Sequence, residues 1–483
     1  MQNKIVKTPL LLATDSYKIS QWMQYPAGCT NVFSYIESRG GEYAESMFFG
    51  IQIFIKKYLM QPITKEDVEY AKTMMDAHLG PDIFNYDGWM SIVNNCGGKL
   101  PVTIRAVKEG SVIPVKNALV TVENTIEGYG WLTSYLETSL LREIWYATTI
   151  ATYSYECKKV IYNYLASTSD DPDANITFAL HEFGYRGVSS DESAQTGGLA
   201  HLINFMGTDT MAALVAACEY YNATGPIGFS VIASEHSTMC ANADAGAKND
   251  YRSAERMVEI LEERQKKYGG FNIVSAVADT YDVYRFTNEF IGSKLKDRIV
   301  NSGGRFVVRP DSGNPEIVPV DLVEGLMKSF GFTVNSKGFK VLPACIRVLQ
   351  GDGINLQSIE KICRNAKLKG ISTENFVFGC GGKLLQAHDR DEMKFAMKAS
   401  AIKMYGVWND VYKDPITDSG KVSNKGRITT VRDLNTGKIT TKRISEMVPS
   451  DEDLLHTYFE NGELLIDLTF DSVRNQTNYL FKK

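Results

Sequence analysis

Seven short apolar runs, rich in β-branched residues, recur between residues 176 and 378, and each stops at a cluster of glycine and polar residues. They are "ITFAL" before "HEFGYRG", "LINFM" before "GTDT", "GFSVIA" before "SEHST", "NIVSAVA" before "DTYD", "RFVV" before "RPDSGNP", "CIRVLQ" before "GDG" and "NFVF" before "GCGG". Their centres lie about 33 residues apart on average, close to the length of a βα unit. Segments between them, such as 209–221 and 254–268, carry apolar residues at helical spacing. Strands that alternate with helices predict a parallel sheet, and seven such units predict a complete or slightly broken α/β barrel. The flanks read differently. Residues 1–145 are rich in aromatics and mix short strand and helix patterns, while the chain after about 395 is punctuated by Gly and Lys like a set of hairpins. The expected organisation is an α/β barrel over 146–394 that carries the active site, with a discontinuous α+β domain built from 1–145 and 395–483.

Composition narrows the function classes. The chain has 483 residues, 44% hydrophobic and 23% charged, which is a globular composition with size enough for two domains. A net charge of -5 provides no basic field for nucleic acid, so an anionic substrate must be gripped locally by arginines, lysines and backbone amides. Eight cysteines lie scattered without a C-x-x-C pair. That pattern suggests neither a zinc site nor a disulfide framework, and it fits a reducing cytoplasm. No apolar stretch nears the roughly 18 residues of a membrane span, and the apolar run near the N-terminus is too short for a signal peptide. A soluble cytoplasmic protein with no membrane or nucleic-acid partner is expected.

Parallel barrels carry their chemistry at the C-terminal ends of the strands. Here those ends hold His181, Arg186, Asp209, His236, Asp279, Arg309, Asp311, Asp352 and the glycines 379, 381 and 382. Loops need Gly and Asp for their own turns, but that does not account for the two arginines or for His236 in "VIASEHSTMC". In "VVRPDSGNPEI", Arg309 and Asp311 alternate along an extended segment. A guanidinium fork there suits phosphate and a carboxylate suits a ribose diol or Mg²⁺; an internal Arg309–Asp311 ion pair is the alternative. "QGDGINL" repeats the logic with Gly351 and Asp352. "FGCGGKLLQ" puts three glycines in four residues after a strand, either a phosphate cradle or only a turn, and a helix starting at Lys383 would add its dipole. In "LHEFGYRGVSS", Phe183 either stacks on a flat ring or caps the core, and Arg186 is placed to hold phosphate. Together these features describe a sugar-phosphate site.

"LLATDSYKISQWMQYP", "LHEFGYRGVSS", "NFMGTDT", "EHST", "RPDSGNP", "QGDG" and "FGCGG", in this order, resemble the nicotinamide phosphoribosyltransferase family, from about residue 10 to about residue 470. The resemblance implies a type II phosphoribosyltransferase with an irregular α/β barrel, a second domain from both chain ends, and homodimers with shared active sites. It implies synthesis of nicotinamide mononucleotide and diphosphate from nicotinamide and phosphoribosyl diphosphate. Phe183 would stack on the nicotinamide ring with a partner subunit's Tyr17 opposite, and Asp209 would accept from the carboxamide. Arg309, Asp311, Gly351 and Asp352 would hold ribose and phosphate, Gly381 and Gly382 would give phosphate amides, and Arg186 would bind diphosphate with Arg39, Arg390, Lys398 and Lys413. His236 would be phosphorylated by ATP, an activating co-substrate, with Asp279 as hydrogen-bond partner. Mg²⁺ would come with the diphosphate, and direct ligation by Asp279 or Asp311 stays open.

Four departures from the family pattern stand out: Cys380, Lys383, a segment between His236 and Asp279 about ten residues longer than in relatives, and a shorter one after Arg39. Rival readings are a nicotinic acid phosphoribosyltransferase, which Asp209 would oppose by like charge, and a non-catalytic nucleotide-binding regulator. A barrel aldolase lacks a strand-end lysine for a Schiff base.

Overall fold

The computed structural model describes residues 8–417 and 421–481, so the extreme ends of the expected flanking domain (1–7, 482–483) and residues 418–420 lie outside it. The chain forms two compact units: Met1–Thr152 with Ala216–Thr224 and His388–Lys483, and Tyr153–Val215 with Gly225–Ala387. Their joins fall at 152/153 and 387/388, where the sequence suggested 145/146 and 394/395, and the end of helix Met211–Tyr221 with the three residues after it counts with the first unit.

Seven parallel strands build the second unit: β1 Leu180–Glu182, β2 Gly207–Thr208, β3 Ile232–Ala233, β4 Ile273–Val277, β5 Arg305–Arg309, β6 Ile346–Gln350 and β7 Phe376–Cys380. They run in the order β2-β1-β7-β6-β5-β4-β3. The sheet curls until Phe229, just ahead of β3, bridges to Gly207 on the opposite edge. Thr208 N–H donates to the Phe229 carbonyl at 3.1 Å and Phe229 N–H to the Met206 carbonyl at 2.8 Å. The barrel is therefore closed by one slender seam. Val274, Ala276, Phe306, Val308, Ile346, Val348 and Phe378 are fully buried, as expected for a parallel sheet covered by helices.

The covering helices show why their sequences fold as they do. Leu356–Leu368 opens with a capping box between Asn355 and Ser358 and buries Ile359, Ile362, Cys363 and Ala366, one face of a 3.6-residue repeat. Tyr251–Tyr268 buries Ala254, Met257, Val258 and Leu261, pairs Arg252 and Arg256 with Glu259 on its wet side, and ends at Gly269 with φ +62°.

Two strand placements need correction. "LINFM" is not a strand: helix Asp191–Leu202 runs into it and β2 follows at 207–208. "ITFAL" begins in the helix Pro172–Ile176, so β1 takes in His181 and Glu182. Short apolar runs are buried equally well by a helix end or a strand, and Ile203 and Phe205 are core residues in either case.

In the first unit both chain ends meet in one sheet. Strand Cys29–Ser38 pairs antiparallel with Phe395–Met404 on one side and Ala118–Asn124 on the other, and Val102–Val107 pairs with Leu455–Glu460. Phe33, Tyr35, Ala118, Ala401 and Ile428 form one of its buried clusters.

Candidate active site

The barrel unit brings the strand-end residues of the sequence together. His236 opens the short helix His236–Ala241, directly after β3. Its Nε2 lies 2.9 Å from Asp279 Oδ1, beyond β4, and its Nδ1 lies 3.9 Å from Asp311 Oδ2, beyond β5. The imidazole is 48% exposed whereas the Asp279 side chain is only 8% exposed, so a buried carboxylate presents a reachable ring.

Arg309 donates from Nη2 to the Ser234 carbonyl at 3.0 Å, and its Nε is buried without a partner among the described residues. Among the described residues the Arg309–Asp311 ion pair is not formed; Asp311 instead faces the His236 ring. A buried guanidinium donor left open is a strong site for an anion. A methyl group on Gly351 would stand 3.3 Å from Asp311 Oδ1, 3.5 Å from Phe183 Cζ and 3.7 Å from Arg309 Cδ, so these three side chains converge on one bare stretch of backbone. At Gly379 a methyl would fall 1.8 Å from Phe183 Cζ, which makes that glycine obligatory for the ring's position. Gly382 starts a single helical turn, Gly382–Leu385, one residue before Lys383. The turn Tyr185–Gly187 lies on it: a methyl at Gly187 would be 3.2 Å from Gly382 Cα, which places the Arg186 turn beside the glycine nest. Asp352 is exposed on the next loop.

Asp209 follows β2. Its Oδ1 accepts from the Ser230 hydroxyl and contacts His181 Nε2 at 2.9 Å. Burial pushes its pKa up, but His181, Ser230 and Arg309 more than offset this and hold the carboxyl below its ordinary value. The His181 and Phe183 rings lie 5.9 Å apart. Below them runs a barrel cavity of about 310 Å³, lined among others by Phe178, His181, Ser230, Ser275, Arg347 and Leu349. The Ser275 hydroxyl is buried there without a partner.

The first unit holds its own candidates. Tyr17 is 61% exposed in the turn Ser16–Met23. Arg39 donates from Nε to Glu37 Oε1 at 3.0 Å, while its Nη2 is buried and has no partner among the described residues. The Lys398 pKa is lowered by burial and by Arg39, Lys18 and Lys413, against Glu137, which lies 4.0 Å away. Crowded cations with a spare buried donor await an anion. Arg390 stands outside this group, paired with Asp391 at 3.2 Å.

Sequence reasoning missed the polar residues that hold the site. His181 had been noted only as a strand-end residue, and Ser230, Ser275 and Glu182 gave no signal of their own. The Cys380 thiol, one departure from the family pattern, is buried, donates to the Ile354 carbonyl at 3.1 Å and has its pKa pushed up to about 12 by burial. It is a packing residue and not a nucleophile. Lys383 occupies the exposed side of the helical turn.

A sequence profile of the "Nicotinate phosphoribosyltransferase (NAPRTase) family" matches residues 178–463, and one of the "Nicotinamide phosphoribosyltransferase, N-terminal domain" matches residues 9–104. The chain is 45% identical to the nicotinamide phosphoribosyltransferase of Xanthomonas campestris pv. campestris (strain 8004), over 96% of this chain and 97% of that protein. It is 33% identical to the nicotinamide phosphoribosyltransferase of Acinetobacter baylyi (strain ATCC 33305 / BD413 / ADP1), over 96% of each. Two crystal structures share the fold: nicotinate-nucleotide pyrophosphorylase from Pyrococcus furiosus (TM-score 0.64, 15% identity, 100% of this chain and 98% of that one) and human nicotinic acid phosphoribosyltransferase (TM-score 0.55, 14% identity, 97% and 93%). The chain therefore belongs to the nicotinate phosphoribosyltransferase family, in the branch of the nicotinamide phosphoribosyltransferases, and is a glycosyltransferase.

Proposed function

We propose that this enzyme joins nicotinamide to phosphoribosyl diphosphate, giving nicotinamide mononucleotide and diphosphate in NAD salvage. The observation that carries the choice of pyridine is Asp209. Its carboxylate is kept ionised by His181 and Ser230, both of which line the cavity, and the His181 ring lies 5.9 Å from that of Phe183. An ionised acceptor fits the carboxamide N–H and repels the carboxylate of nicotinate, which weighs against the nicotinic acid reading.

The pyridine nitrogen attacks the anomeric carbon while the C–O bond to diphosphate breaks, through a transition state with oxocarbenium character. That nitrogen is unprotonated near neutral pH, so no general base is required. The chain's task is orientation and charge: Phe183 holds the ring, Arg309 and Asp311 hold the ribose phosphate region with Gly351 and Asp352, and Arg186 with the Gly381–Gly382 turn receives diphosphate. Among the described residues Asp311 is paired with no lysine or arginine and suits Mg²⁺, as does Asp279 beneath His236. Mg²⁺ supplies charge neutralisation of the leaving diphosphate. Among the described residues no group of three or more His, Cys, Asp or Glu is placed to hold a metal alone, so the other ligands would come from diphosphate and water.

ATP stimulation through His236 belongs to the same reading. With Nε2 engaged by Asp279, Nδ1 is the nitrogen left to take the γ-phosphoryl group, releasing ADP. The phosphorylated ring would add negative charge beside the Mg²⁺–diphosphate. A second copy of the chain would supply Tyr17, Arg39, Lys398 and Lys413 to each barrel site in a homodimer, and Arg390 through rotation away from Asp391. The test is direct. The protein is incubated with phosphoribosyl diphosphate, Mg²⁺ and each pyridine in turn, with and without ATP, and mononucleotide is measured. Binding of the mononucleotide without any turnover would make the chain a non-catalytic regulator.

A further inference from the structure

Glu182 is the last residue of β1, fully buried, and lies one position before Phe183. Its carboxylate is committed twice. Oε1 accepts the Gly184 backbone N–H, and Oε2 accepts the Thr208 hydroxyl at 2.8 Å. Its carbonyl is committed as well, because it accepts the Asp209 N–H at 2.8 Å. Thr208 Oγ1 in turn accepts the Thr210 N–H at 3.0 Å. Phe183 N–H is meanwhile bound to the Cys380 carbonyl at 3.1 Å. The residues on both sides of Phe183 are thus fixed, and so are both sides of Asp209, with Glu182 common to the two sets. A carboxylate in such a place is costly to desolvate, and burial raises its pKa against the Thr210 hydroxyl, the Gly184 N–H and the Thr208 hydroxyl around it. A fold needing only a filled core would place an apolar residue here.

We propose that Glu182 is a positioning residue that ties the loop carrying Phe183 to the strand end carrying Asp209, and so sets the width and angle of the nicotinamide pocket. This rests on the functional reading above. Glu182 does not touch substrate. It acts by fixing the distance between a stacking ring and a carboxamide acceptor, and the ribose-phosphate groups Arg309, Asp311 and Asp352 stand on other strands. Arg186 lies on the same loop beyond Gly184, so a loss confined to the Thr208 side of the tie, with the Gly184 bond left in place, should fall on nicotinamide alone.

Steady-state kinetics with each substrate varied provide the test. In Glu182→Gln the amide oxygen still takes one donor, but its NH₂ cannot accept the other. The expected result is a nicotinamide KM raised about fivefold and a phosphoribosyl diphosphate KM within about twofold of wild type. Thr208→Val, which keeps the side-chain shape but removes the hydroxyl, should raise the nicotinamide KM about tenfold, and Thr208→Ser should restore it to within about twofold. If Glu182→Gln does not fold, the Thr208 pair decides alone. Parallel changes in both KM values, an unchanged nicotinamide KM, or failure of serine to rescue would each overturn the inference. An active wild type whose variants show one of these patterns overturns this proposal only. Wild type that forms no mononucleotide overturns the functional reading and this one with it.

Discussion

Asp209→Asn isolates the group that separates nicotinamide from nicotinate. Asparagine has the same outline, and its Oδ1 can still accept from His181 Nε2 and from the Ser230 hydroxyl, so the pocket geometry is retained. Two like charges about 4.5 Å apart at an effective dielectric near 20 repel by about 3.7 kcal/mol. The Asp209 side chain is 42% exposed, and solvent screening reduces that to about 2 kcal/mol, roughly thirtyfold against nicotinate. Losing a charged acceptor for the carboxamide costs nicotinamide about 1 kcal/mol, roughly fivefold. The ratio of kcat/KM values, nicotinamide over nicotinate, should fall on the order of a hundredfold in Asp209→Asn, from both ends. The assay is mononucleotide formation with each pyridine at saturating phosphoribosyl diphosphate. The pH dependence gives a second check. Although burial opposes it, the Asp209 pKa is lowered by His181, Ser230 and Arg309, so the carboxylate stays charged throughout the neutral range. Selectivity should hold from about pH 8 to about pH 5 and be lost only as the pH falls below the ordinary carboxylate range. An unchanged ratio in Asp209→Asn, or selectivity that titrates near pH 7, would refute the assignment.

His236→Ala should abolish ATP hydrolysis coupled to turnover while leaving slower, ATP-independent synthesis; complete loss of synthesis at saturating substrates in a folded variant would contradict the phosphorylation role. In the first unit Glu109 is fully buried, and its pKa is pushed up to about 7 by burial, against backbone N–H bonds from Gly50 and Gln52. The folded state then holds an extra proton between about pH 4.5 and 7, so stability should drop by about 3 kcal/mol as pH rises through that window, and Glu109→Gln should remove the drop in thermal unfolding followed at pH 5 and pH 8. If Tyr17 and Arg309 serve one site from two subunits, Tyr17→Ala and Arg309→Ala variants that are each nearly inactive should recover roughly a quarter of wild-type activity after subunit exchange, since half the dimers are mixed and each has one intact site. Proven exchange without recovery would place Tyr17 in the site of its own chain.

The barrel was legible because its strands are buried on both faces and announce themselves as apolar runs. β4 to β7 fall on the runs read for them, β5 extending one residue and β7 two residues past the run. β1 and β2 were not, for a physical reason. Each is only two or three residues long, and its flanking apolar residues are buried by preceding helices. The closure at Phe229 was likewise silent, because a single backbone bridge needs no particular side chain.

The site divides in the same way. Arg309, Asp311 and His236 stood out because charged groups at strand ends have few structural excuses, and the structure leaves Arg309 Nε without an internal partner. His181, Ser230 and Glu182 did not stand out, because what gives them meaning is a neighbour across the barrel. Ser230 precedes β3, yet its hydroxyl binds Asp209 beyond β2. Glu182 ends β1, yet one of its oxygens answers Thr208 on β2. Such pairs span 21 and 26 residues of sequence and exist only once the sheet has curled, so no local spacing encodes them. The reacting groups can be read from residue chemistry at the strand ends. The groups that aim them are chosen by strand order, and strand order is what the apolar runs leave unsaid.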